Sequence, residues 1–87
     1  MIKELQPNII INERLHGQGD YYTPEQSMPA TAPSGPWEMC LTMGRHWGWT
    51  PDDKELKSSL RLVRTLIEVA SRGGNLLLNT GISGDGS

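Results

Sequence analysis

Three leucines between two asparagines, Asn75-Leu76-Leu77-Leu78-Asn79, follow directly on Gly73-Gly74 and restrict the fold more than any other stretch of the chain. The run has the length of a strand and is apolar on both faces, which suits a parallel strand covered on each side rather than an exposed sheet edge. The two glycines before it supply the left-handed cap that ends a helix. Upstream, Trp37 to Met43 reads as another strand, with Met39, Leu41 and Met43 on one face and Glu38, Cys40 and Thr42 on the other. Between these strands, Thr50-Pro51-Asp52-Asp53 has the marks of a helix start. Threonine caps, proline fits the first helical position, and the acids favour the positive end of the helix dipole. The spacing predicts a helix from Pro51 to about Arg72 that buries Leu56, Leu60, Val63, Leu66, Ile67 and Ala70. Lys57, Arg61, Arg64 and Glu68 then face water. Strand, helix and strand form a βαβ unit with parallel strands and a right-handed crossover.

Leu5 to Asn12 reads as a further strand at the start of the chain, with Pro7 near its beginning and Ile9-Ile10-Ile11 after it. The expected class is therefore α/β, with three parallel-type strands, a long loop and one main helix. That set cannot cover a sheet that is apolar on both faces, so additional strands are expected from further chain or from other copies, with self-association completing the core. With 87 residues the chain is at most one small domain, residues 1–87, whose core is marginal. The single cysteine, Cys40, provides neither an intramolecular disulfide nor a zinc site to staple it.

Polar chemistry begins where the first apolar run stops. Asn12-Glu13-Arg14, Gly19-Asp20 and Thr23-Pro24-Glu25-Gln26 lie at the start of and within a long connection from Glu13 to Pro36, and long loops of this kind are usually functional or disordered. In parallel α/β folds, binding groups gather past the carboxyl ends of strands. The net charge of -2, with no basic cluster, gives no electrostatic reason to expect nucleic acid or an anionic membrane as a partner. No apolar run approaches the roughly 20 residues that cross a bilayer. The N-terminus lacks the apolar core of a secretory signal, so the chain as written is expected to be cytoplasmic. A longer parent protein, which the glycine-rich ending suggests, could carry such a signal.

Taken singly, these residues also have plainer readings. Glu25 alone reads as a solvated loop carboxylate or a turn cap, and Arg14 as a surface ion-pair partner or a clamp for hydroxyls. Trp37, Trp47 and Trp49 suit either a core or the apolar face of a sugar. His16 and His46 have no partner at metal-ligand spacing, and no metal or cofactor is expected. Cys40 reads as an inert buried thiol. Asp20 reads as a turn residue, with an in-chain nucleophile as the alternative, and Gly81 to Gly86 as a plain turn.

Together, however, Glu4-Leu5-Gln6-Pro7-Asn8-Ile9-Ile10-Ile11-Asn12-Glu13-Arg14, Gly19-Asp20-Tyr21-Tyr22-Thr23-Pro24-Glu25-Gln26, Trp37-Glu38-Met39-Cys40, Trp47-Gly48-Trp49 and Gly73-Gly74-Asn75-Leu76-Leu77-Leu78-Asn79 resemble successive blocks of α-L-fucosidases, glycoside hydrolase family 29. The resemblance covers nearly the whole chain and implies a C-terminal part of a (β/α)8-like catalytic barrel. It implies retaining hydrolysis of terminal α-L-fucose from oligosaccharides or glycoconjugates by an aspartate nucleophile and a glutamate acid/base. Retention needs two carboxyls about 5 to 5.5 Å apart. The family nucleophile falls on an earlier strand, upstream of Met1. By resemblance Glu25 matches the acid/base, Glu38 is the second candidate, Arg14 matches a sugar-contacting residue and Trp37 a pocket-wall aromatic.

Overall fold

The computed structural model describes residues 1–15, 17 and 19–87. His16, expected in a surface or packing role, lies outside the described residues. In chain order the elements are a short helix α1 (Ile2–Leu5), strand β1 (Glu38–Thr42), helix α2 (Ser59–Ser71) and strand β2 (Asn75–Asn79). The two strands pair directly and in parallel, with Glu38 opposite Asn75, Cys40 opposite Leu77 and Thr42 opposite Asn79. The βαβ reading of the C-terminal half thus holds, and β2 has the predicted bounds.

Alternation divides the sheet into two faces. Met39 and Leu41 from β1 point into the core with Trp37, which immediately precedes it, and Val69 from α2 meets them there. Leu76 and Leu78 from β2, Leu62 from α2 and Met28 from the long loop pack around this cluster. Glu38, Cys40, Leu77 and Asn79 occupy the opposite face, where the cavity described below opens.

The glycine stop works as the sequence predicts. Gly73 adopts φ 79°, and Gly73 N–H donates to Ala70 O at 3.0 Å while Gly74 N–H donates to Val69 O at 2.9 Å. These two bonds make a complete Schellman motif. Gly74 has a second duty, because a Cβ there would collide with the Trp37 indole.

Three expectations are corrected. Leu5 to Asn12 is not a strand, so two strands stand where three were expected: α1 takes its first residue, and Pro7-Asn8 turn the chain, with Ile9 N–H donating to Gln6 O at 3.2 Å. Proline sets the dihedral of the second turn position. Ile9 and Ile10 then lie beside no strand among the described residues, and Ile10 is 74% exposed, whereas Ile11 O accepts from Asp20 N–H at 2.6 Å and Ile11 N–H donates to Asp20 Oδ2 at 2.9 Å. Only at Asn12, bridged to Tyr21, does β-type pairing begin.

Helix α2 starts at Ser59 rather than Pro51. Ser58 caps it, its hydroxyl accepting from Arg61 N–H at 3.2 Å, while Pro51-Asp52 form a turn closed by Asp53 N–H to Thr50 O at 3.2 Å. The segment between is drawn to the end of β1: Lys57 N–H donates to Met43 O at 2.8 Å, and its ammonium donates to Thr42 O and Gly44 O at 2.7 and 3.1 Å. Those bonds replace the helical ones, so Lys57 does not simply face water.

The buried stripe of α2 is also displaced. Val69 is fully buried and Leu62 partly so, whereas Leu60, Val63, Leu66 and Ile67 are each more than half exposed. Both rows recur at helical spacing, so periodicity alone cannot say which of them meets the sheet. Among the described residues, no helix is long and apolar enough to cross a membrane.

Candidate active site

The long loop returns to the sheet as an extended segment beside β1. Tyr22 bridges Trp37 and Glu25 bridges Cys40, both in parallel sense, so residues 22–25 run alongside 37–40 in one register. Glu38 N–H donates to Tyr22 O at 2.9 Å and Cys40 N–H to Pro24 O at 2.9 Å. This places Thr23 and Glu25 on the same face as Glu38 and Cys40. Gln26 ends the segment in the left-handed region, φ 61°, which a side chain seldom adopts. It is held there by its N–H donating to Cys40 O at 2.8 Å and its amide donating to Thr42 Oγ1 at 3.0 Å.

An open cavity of about 500 Å3 lies over this face. Arg14, Glu25, Glu38 and Cys40 line it together with Trp47 and Asn79. The Arg14 guanidinium spans its floor: Nε donates to Thr23 Oγ1 at 3.0 Å, Nη1 pairs with Glu25 Oε1, and Nη2 reaches Cys40 Sγ at 3.7 Å. The bond to Glu25 raises the Arg14 pKa above its ordinary value. Burial raises that of the Cys40 thiol, in keeping with an inert structural cysteine.

Each residue of Asn12-Glu13-Arg14 has a distinct task. Asn12 Oδ1 accepts from Arg14 N–H at 3.1 Å and shapes the turn. Glu13 Oε1 accepts from Thr23 N–H at 2.8 Å and from its hydroxyl at 3.2 Å. Arg14 makes the contacts above.

Trp47 arrives on the loop after β1, its carbonyl accepting from Asn79 Nδ2 on β2. The loop is built on Asp53, whose Oδ2 accepts from Arg45 N–H at 2.8 Å and His46 N–H at 3.2 Å. Desolvation pushes the Asp53 carboxyl up, but these donors outweigh it and hold its pKa below the ordinary 3.8. Its stabilising contribution is thus complete above pH 3.8 and is lost as pH falls through the lowered folded value. Acid titration of tryptophan fluorescence should show the loop loosening only below that ordinary value, and Asp53→Asn should remove the transition. The same transition in the variant would contradict this role.

Of the four site residues expected from the sequence, Arg14, Glu25 and Glu38 come together at the cavity. Trp37 does not: it is 1% exposed, in the core under α2 and Gly74, where it offers no pocket wall. The aromatic that faces the cavity is Trp47, 43% exposed. Glu13 and Thr23 were missed as partners of the site, although the two-residue step from Thr23 to Glu25 would have put both on one face of an extended segment. Asp20 lies outside this cavity, held by Ile11 N–H at 2.9 Å and by Lys3 Nζ at 3.0 Å, and both hold its pKa low. Its neighbourhood borders a larger depression of about 710 Å3 beside α1. Asp20 is the sole acid on that lining and is already paired, so the smaller cavity, with two carboxyls, is the better candidate.

Two carboxyls, a guanidinium and an indole thus line one open cavity on a parallel α/β framework, a set able to hold a polyhydroxylated ring. The family model for Alpha-L-fucosidase matches residues 1–87. Tissue alpha-L-fucosidase of Bos taurus is 30% identical over 91 aligned residues, which cover 94% of this chain and 19% of the bovine protein. The structure of alpha-L-fucosidase isoenzyme 1 from Paenibacillus thiaminolyticus superposes with a TM-score of 0.87 at 37% identity, covering 100% of this chain and 24% of that one. A mutant alpha-L-fucosidase in complex with 4-nitrophenyl α-L-fucopyranoside superposes with a TM-score of 0.80 at 31% identity, covering 99% of this chain and 27% of that one. The chain belongs to the α-L-fucosidase family, and it spans about a fifth of the length of the curated relatives it matches.

Proposed function

We propose that this chain is a C-terminal portion of an α-L-fucosidase catalytic domain and carries the acid/base side of its site. The observation that carries this reading is the convergence of Arg14 and Glu25 on one cavity at the sheet face. Glu25 is the acid that protonates the departing glycosidic oxygen and then the base that activates water, as a retaining mechanism requires. Glu38, on the same cavity lining, is the second candidate for that role. Arg14 binds sugar hydroxyls through donors that pair with Glu25, so a bound sugar that takes over those donors leaves Glu25 to engage the glycosidic oxygen. Trp47 supplies an apolar surface for the ring. The nucleophilic carboxylate comes from outside this chain, from the portion of the barrel that its relatives possess and it does not span. The substrate is a fucosylated oligosaccharide or glycoconjugate, as the ligand of the 4-nitrophenyl fucoside complex suggests for that relative.

The exposed leucines, valine and isoleucine of α2 and the exposed Ile10 support the further expectation that other protein covers these surfaces. For the isolated chain the available cover is a second copy. Light scattering at micromolar concentration should give a mass of two or more chains, and the mass of one chain would refute self-association. Hydrolysis of a nitrophenyl fucoside tests the catalytic reading. The rival reading is a carbohydrate-binding or assembly piece that does no chemistry. It gains if fucose shifts the tryptophan fluorescence while no context makes the site hydrolytic.

A further inference from the structure

The geometry points to Thr23 and Glu13 as positioning residues that aim the Arg14 guanidinium across the cavity, a role that rests on the site reading above. Thr23 is 6% exposed, one of the few buried polar side chains among the described residues, and its hydroxyl sits between two groups of opposite demand. Glu13 Oε1, 3.2 Å away, is a carboxylate oxygen that only accepts, so the hydroxyl proton must point to it. Arg14 Nε, 3.0 Å away, only donates, so it must meet the hydroxyl's lone pair. The order N–H to O–H to carboxylate therefore has a single direction.

A guanidinium is planar and its donors form a rigid fork. Once Nε is held by Thr23, the plane is set, and Nη1 and Nη2 are directed at Glu25 and Cys40. The loop itself does not need this bond, because Thr23 N–H already donates to Glu13 Oε1 at 2.8 Å and joins the two segments through the main chain. With the Arg14 side chain about half exposed, the hydroxyl fixes the Nε edge of the guanidinium, while Glu25 pairs with its Nη1 end.

The test uses the 15N-labelled 87-residue chain and reads the Arg14 Nε–H resonance, assigned by its disappearance in Arg14→Lys. In the wild type this proton should exchange slowly with water. Thr23→Val, nearly isosteric but without the hydroxyl, should speed exchange at least tenfold while the backbone spectrum elsewhere stays in place. Thr23→Ser should restore slow exchange, which a purely steric role for Thr23 would not require. Glu13→Ala, which removes the acceptor of the hydroxyl proton, should raise the rate threefold or more. Unchanged exchange in Thr23→Val, or fast exchange in Thr23→Ser, overturns the assignment. Should Thr23→Val fail to fold, Glu13→Ala decides, and an unchanged rate there overturns it equally. Fucose titration followed by tryptophan fluorescence forms a separate arm. The Nε–H resonance reads the positioning whether or not the chain binds fucose, so failure of the fucosidase reading and failure of this one are told apart.

Discussion

Glu25→Gln is expected to lower kcat for α-L-fucoside hydrolysis by about 10²–10⁴-fold, the range that general acid–base catalysis supplies. The measurement needs the missing nucleophile, and the similarity to the Paenibacillus thiaminolyticus enzyme offers a route: this chain replaces the matching segment of that protein, and the chimaera is assayed. A 4-nitrophenolate leaving group departs with little protonation, so the variant should lose less on the aryl fucoside's first step than on a fucosyl disaccharide. That dependence on the leaving group separates an acid from a residue that merely binds. The fall should appear in kcat with KM little raised, because amide and carboxylate occupy nearly the same space. Glu38→Gln, beside it on the cavity wall, should cost far less. If the large loss falls on Glu38 instead, the acid/base assignment passes to it. If neither substitution lowers the rate, the proposed site is wrong. The isolated chain is expected to release no nitrophenol; measurable release that its Glu25→Gln form matches would sink the assignment directly.

Trp37→Ala carries the largest expected effect on stability. Its indole is 1% exposed, the largest of the fully buried side chains among the described residues, and it contacts the helix cap through Gly74. Deleting a buried tryptophan side chain costs about 3–5 kcal/mol through lost transfer energy and an unfilled cavity. Small domains have totals of about 5–15 kcal/mol, and this one, with a short two-stranded sheet, belongs near the lower end. The variant should therefore lose most of its cooperative urea transition, while Trp37→Phe should retain more than half of the stability. A loss below about 1 kcal/mol combined with weaker fucose binding would return Trp37 to the cavity wall that the family resemblance assigns to it.

These two residues also show how far the sequence could be read. The resemblance pointed to both Glu25 and Trp37 as site residues, yet only Glu25 faces the cavity. Trp37 and Glu38 are neighbours, and neighbours on a strand point to opposite faces. The alternation of Met39, Leu41 and Cys40 was legible, and one step back it already sets Trp37 on the apolar face; that α2 covers this face and buries the indole was decided by the tertiary structure. The step from Thr23 to Glu25 could have put Thr23 on the site face, but its bonds to Glu13 and Arg14 join segments nine or ten residues apart and no local pattern encodes them.

Local chemistry was sufficient on its own for β2, for the Gly73-Gly74 stop and for the alternating faces of β1, because each depends on residues adjacent in the chain or on a period of two. Family membership, too, was visible in the blocks of sequence before any coordinate. Only the tertiary structure decided that Leu5 to Asn12 does not pair as a strand, that α2 begins at Ser58-Ser59, and that Val69 rather than Ile67 meets the sheet. The physical reason is common to all three. A strand needs a neighbour, a helix start competes with other hydrogen bonds available to the same groups, and a helix with two apolar rows buries whichever one the rest of the molecule covers.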